Sequence, residues 1–109
     1  MRTIQKRNGN HRKIGYKHYV RILGEHKKEL SERYNVKEIG IFGSCVRGEE
    51  RVRSDIDILV DFVEAPEFSS FMSLADFLER ILHRKIDLVR KPIIRKELRD
   101  QVLNEVIYV

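Results

Sequence analysis

Asp55 and Asp57 stand two residues apart in "SDIDILVDF", Ser54–Phe62, a stretch whose other members are mostly aliphatic. On an extended strand, residues i and i+2 share a face with their Cα atoms about 6.5–7 Å apart. The two carboxylates can therefore lean together and grip one cation. "KIDLV", Lys85–Val89, is a second apolar stretch with one central acid, Asp87. If the two strands pair, Asp87 falls roughly 5 Å to the side of one of the first two. Two negative charges ~4 Å apart repel by about 4 kcal/mol at an effective dielectric of 20, so three carboxylates on one face call for a cation among them. Oxygen donors without His or Cys suit Mg²⁺ or Mn²⁺ better than zinc. The plain alternative is the solvated face of a one-sided sheet.

A second constellation precedes the first. Gly43-Ser44 follows the apolar run "KEIGIF", Lys37–Phe42. A glycine leaving a strand lets the backbone turn tightly and approach a ligand closely. Ser44 is then a candidate N-cap for a short helix through Cys45–Arg47, and helix N-termini attract phosphate. Arg47 follows within reach, with Arg51 and Arg53 near it. Alone, Gly-Ser-x-x-Arg-Gly is only a turn; it is neither a P-loop nor a dinucleotide fingerprint. Combined with the aspartates, it joins a phosphate cradle to a divalent-metal site, which is what phosphoryl or nucleotidyl transfer requires.

Positioning these groups takes a small set of elements. Val20, Leu23, Lys27, Leu30 and Tyr34 step by three and four, predicting an amphipathic helix over Tyr16–Tyr34 that stops at Asn35. Strands follow at Lys37–Phe42 and Ser54–Phe62, the latter with Ile56, Ile58, Val60 and Phe62 on the face opposite the acids. A helix over about Ser69–His83, a strand at Lys85–Arg90 and a helix over about Ile94–Val106, burying Leu98, Val102 and Val106, complete the chain. The predicted class is α/β (α+β), a small mixed β-sheet flanked by helices in the order α-β-α-β-α-β-α. The pattern leaves strand direction across the Gly-Ser turn open.

Composition narrows the partners. The chain has 109 residues, 41% of them hydrophobic, enough for the core of one domain. Its net charge of +5 suggests nucleic acid, but the first 24 residues hold seven Lys/Arg and no acid. The rest is mildly acidic, so a polycationic face across the fold is not indicated. Residues 1–15, "MRTIQKRNGNHRKIG", read as a flexible basic leader, and 16–109 as the domain. No apolar run approaches a membrane span or a signal peptide. The lone Cys45 forms no internal disulfide, which points to the cytoplasm. Cys45 reads as a small filler beside the phosphate site, with a reactive thiol the sharper alternative. The four histidines, His11, His18, His26 and His83, have no metal-ligand spacing and read as surface residues. Phe68, Phe71 and Phe77 read as core or interface, and Tyr108 as a possible partner contact.

Gly43-Ser44, ten residues, then Asp55-x-Asp57 resembles the signature of the nucleotidyltransferase superfamily that includes DNA polymerase beta. "GSCVRGEERVRSDIDILVDF" followed by "HRKIDLV" is similar to its smallest branch, the minimal nucleotidyltransferases (MNT). Val46 departs from the family, which often has alanine there, and the basic leader is not part of its pattern. The resemblance implies a nucleotidyltransferase fold, ATP as donor and two Mg²⁺ ions. It implies Asp55 and Asp57 as metal ligands, Asp87 as the third carboxylate, and Gly43 and Ser44 as phosphate contacts. Arg47 is expected either on the donor phosphates or paired with Glu49 or Asp57. Chains of this size resemble the antitoxin half of HEPN/MNT toxin–antitoxin pairs, which implies AMP transfer to a tyrosine of a HEPN ribonuclease toxin. A core this small leaves no domain for an acceptor, so a partner protein that carries its own hydroxyl is expected on size alone. The rival expectation is a non-catalytic antitoxin that blocks its partner by occlusion; a small nucleic-acid binder rests only on the leader.

Overall fold

The computed structural model describes residues 15–49 and 55–109. The leader reading therefore lies outside the described residues, apart from Gly15, as do Arg51 and Arg53. The first helical region is two helices, α1 (Gly15–Glu25) and α2 (Lys27–Tyr34), rather than one. They break at His26, whose Nδ1 bonds the Ile22 carbonyl at 3.0 Å while its own amide N–H turns to Leu23 O at 3.1 Å. The side chain thus replaces the backbone bond that would have continued the helix. Lys27, the polar lapse in the expected stripe, is exposed at this joint.

Asn35 caps α2 in the left-handed conformation and donates its N–H to Ser31 O. Strand β1 (Val36–Phe42) follows, then the single-turn helix α3 (Ser44–Arg47), β2 (Ile56–Phe62) and helix α4 (Phe68–Leu82). Strand β3 (Ile86–Arg90), a 3₁₀ turn at Lys91–Ile93, helix α5 (Lys96–Glu105) and a two-residue strand β4 (Ile107–Tyr108) complete the described chain. The sheet order is β3-β2-β1-β4. β1 runs antiparallel to both β2 and β4, and β2 runs parallel to β3. The direction across the Gly-Ser turn, open in the sequence, is thus antiparallel, and the sheet is mixed as expected. The terminal strand β4 was not expected.

One sheet face carries Ile39, Ile41, Ile56, Ile58, Val60 and Phe62 against Leu23, Leu30, Leu74, Phe77 and Leu78 of the helices. The other face holds a smaller core, Leu59 with Ile94 and Val102, with Phe42, Val89 and Val106 packed at its border. The sheet is therefore covered on its second face too, but only in part. Val102 is buried as expected, whereas Leu98 is 43% exposed. His26 is half-buried and stands edge-on to Phe77, 5.6 Å between ring centres, so it is not the surface residue expected. Among the described residues, no helix is long and apolar enough to cross a membrane.

Candidate active site

The aspartates sit where cover on the second face gives way. β2 needs alternation to bury Ile56, Ile58 and Val60 on one side, and that same period turns Asp57 to the other. Parallel pairing sets Asp57 directly beside Asp87 of β3, as the lateral expectation required, while Phe42 faces Asp57 from β1. Asp55 lies just before β2 and is exposed; Asp87 is exposed, and Asp57 is half-buried.

This crowding has an electrostatic signature. The Asp57 pKa is pushed up to about 6 by burial first, then by the charges of Asp87 and Asp55. Arg47 opposes the shift, and Glu105 adds to it. Among the described residues, no three His, Cys, Asp or Glu side chains stand as a ready-made cage for a metal. The donor set nonetheless fits a hard divalent cation, being carboxylate oxygen throughout and mutually repulsive until a positive charge is added.

The Gly43-Ser44 turn comes right up to this acid. Gly43 has φ 80° and ψ −155°, a conformation essentially reserved for glycine. A Cβ built there would collide with the Asp57 carboxylate oxygen. The short helix begins one residue earlier than expected, with Gly43 rather than Ser44 in the capping position and no side chain capping it. It is closed behind by Gly48 in the left-handed conformation and by the Glu49 amide donating to Ser44 O at 2.8 Å. Cys45 is buried in the main core, as a filler would be.

Arg47 is held by two carboxylates. Its Nε donates to Glu49 at 3.0 Å and its Nη1 to Glu105 at 2.9 Å. These bonds, Glu49 first, raise its pKa above the ordinary arginine value. Glu49 was among the expected partners. Glu105 was missed: it is 58 residues away in sequence, at the end of α5, and no local spacing signals it.

A model of the nucleotidyltransferase domain family matches residues 23–109. The protein adenylyltransferase MntA of Thermococcus cleftensis is 51% identical over 88 residues, covering 81% of this chain and 89% of that protein. A chain of a toxin–antitoxin crystal structure with AMP-PNP superposes with a TM-score of 0.63 at 26% identity, covering 77% of this chain and 69% of the other. A structure of a tri-AMPylated Shewanella oneidensis HEPN toxin in complex with MNT antitoxin matches at 0.55 and 27% identity, covering 79% and 68%.

Proposed function

The chain belongs to the nucleotidyltransferase domain family, and from that premise we propose that it transfers AMP from ATP to a hydroxyl of a partner protein, a tyrosine of a HEPN-type toxin for which it is the antitoxin. The proposed setting is the cytoplasm. Support comes from the adenylyltransferase name of the Thermococcus relative and from the AMPylated HEPN toxin of the Shewanella complex. The nucleotide analogue in the related toxin–antitoxin crystal supports ATP as donor.

In this reading Asp55 and Asp57 hold Mg²⁺, two ions in all, and Asp87 supplies the third carboxylate. Held there, such ions would supply positive charge to offset that of the triphosphate and the departing pyrophosphate. Gly43 lets the backbone turn in tight contact with Asp57, and Ser44 offers its amide and hydroxyl to the β- and γ-phosphates. Arg47 supplies positive charge at the end of the same turn. Asp87, on the open edge strand, takes the proton of the attacking hydroxyl as the new phosphoester forms and pyrophosphate leaves. The observation that carries this is the register of Asp57 against Asp87, with the backbone of Gly43 closed against Asp57.

The test is incubation with labelled ATP, Mg²⁺ and the protein encoded by the neighbouring gene, which this reading expects to be HEPN-type. Label should pass to that protein and fall at least about 100-fold in an Asp57→Ala variant. Persistence of label transfer in that variant defeats the assignment. Full toxin neutralisation by the Asp55→Ala/Asp57→Ala double variant would favour occlusion instead.

A further inference from the structure

We propose that Lys85 is a further catalytic residue, whose ammonium meets the acceptor oxygen as it attacks. The inference rests on the transfer reading and deepens it on the acceptor side. Lys85 stands just before β3, yet the sheet ladder reaches it, because the Ile56 amide donates to Lys85 O at 2.9 Å. The register pairs Ile56 with Ile86 and Asp57 with Asp87. Carried one step back, it sets Lys85 beside Asp55, the strands being about 4.8 Å apart. Alternation gives the face. Ile86 and Leu88 pack against the main core, and Arg84 donates to the hydroxyl of buried Tyr19 on α1 at 2.8 Å. Residues 84, 86 and 88 thus share the helix-covered face. Lys85 shares the opposite one with Asp87 and with Val89, which borders the smaller core there. It is exposed, and among the described residues its ammonium has no ion-pair or hydrogen-bond partner.

Position decides which substrate this cation serves. The Gly43-Ser44 turn leaves β1 on one side of β2, and β3 is the edge strand on the other side, roughly 10 Å from β1. Attacking and leaving oxygens lie roughly in line across the transferred phosphorus. With the triphosphate on the turn side, the attacking hydroxyl comes in over β3, where Asp87 takes its proton. The O–H electron pair stays on that oxygen, which bonds to the α-phosphorus while the bond to pyrophosphate breaks and its pair departs with pyrophosphate. Negative charge thus gathers on the attacking oxygen among three carboxylates, and a cation fixed beside it stabilises it. Of the basic residues from 84 to 91, Arg84 and Arg90 fall on the other face by the same alternation, and Lys91 is paired with Glu38 at 2.8 Å. Lys85, a point charge on a flexible four-carbon stem, is the one left to meet that oxygen.

The experiment uses the full chain, ATP labelled at the α-phosphate, Mg²⁺ and the protein encoded by the neighbouring gene. Lys85→Met should lower the single-turnover rate of AMP transfer, at saturating ATP and acceptor, at least about tenfold. Affinities for ATP and for the acceptor, by titration calorimetry, should stay within about twofold, and Lys85→Arg should recover most of the rate. A smaller loss of rate in Lys85→Met overturns the proposal and leaves a solvated surface lysine. So does a weaker ATP affinity, which moves the ammonium to the triphosphate, or a weaker acceptor affinity, which makes it a docking contact alone. Lys85→Arg as slow as Lys85→Met also overturns it, since positive charge is then not what matters. Wild type and Lys85→Met labelling the acceptor equally well sinks this inference and leaves the transfer reading standing; no label from wild type sinks both.

Discussion

Gly43 and Asp57 are fitted to one another across the β1–β2 turn: a Cβ at residue 43 would lie 2.9 Å from the Asp57 Cγ and closer still to its oxygen. The backbone at φ 80°, ψ −155° adds strain for any side chain, about 1–3 kcal/mol. Gly43→Ala should therefore displace the Asp57 carboxylate and loosen the turn together. We expect AMP transfer to drop about 100-fold or more and the urea midpoint to fall. A Gly43→Ala protein with unchanged label transfer would show that closure of the turn on Asp57 is irrelevant to the reaction.

Asp57 also makes stability depend on pH in a direction opposite to that of most carboxylates. Its folded pKa of about 6 exceeds the ordinary 3.8, so the folded state binds its proton more tightly than the unfolded one. Without metal, its ionisation weakens the fold as pH rises from about 4 to 6, and the loss is complete above that range. In EDTA at pH 7, Asp57→Asn should be the more stable protein. Because Asp57 is only partly buried, solvent screening reduces the expected gain to about 1 kcal/mol. The gain should vanish near pH 4, and Mg²⁺ should raise the melting temperature of the wild type but not of the variant. Thermal unfolding across pH, with and without Mg²⁺, checks all of this.

What could be read in advance follows from the range of each signal. The period-two alternation around Ile56, Ile58 and Val60 assigns Asp55 and Asp57 to one face without any knowledge of the fold, and "KIDLV" marks Asp87 as its counterpart. Asn35 and the Gly43 turn are likewise local signals. The break at His26 was hidden because it depends on which acceptor a ring nitrogen finds. Glu105 and β4 were hidden because the residues they meet, Arg47 and Gly40, lie far off in sequence, and Ile107–Tyr108 is too short a strand to show a period. Arg47 was legible as a cation near the turn, but its second carboxylate partner was not.

Arg47 and Glu105 set the charge around Asp57 with opposite signs. Arg47 lowers the Asp57 pKa and Glu105 raises it. In metal-free protein, Glu105→Gln should therefore move the Asp57 titration down and Arg47→Gln should move it up, as followed by carboxyl carbon NMR. Glu105→Gln also removes the negative charge from the 2.9 Å ion pair that ties α5 to α3. Shifts of the same sign in both variants would contradict the arrangement.

Two glycines far from the chemistry separate close approach from mere flexibility. A Cβ at Gly40 would stand 2.7 Å from the Ile107 carbonyl oxygen and 2.8 Å from the Val106 Cγ2. Backbone cannot give way as a flexible side-chain end can, so Gly40→Val must push β4 off β1 and break the bond from the Val109 amide to Ile39 O at 2.9 Å. Overpacking of this kind costs about 1–3 kcal/mol, and loss of β4 should free the amides of residues 107–109 to exchange. AMP transfer should fall as well, since Glu105 is then no longer held against Arg47. Gly24 provides the contrast. It lies inside α1, and a Cβ there meets only the Val109 Cγ1 at 3.8 Å, an ordinary contact. Gly24→Ala should instead stabilise the chain by roughly 0.5–1 kcal/mol through helix propensity. Urea midpoints moving in opposite directions for these two substitutions would confirm that only Gly40 is required by a neighbouring backbone.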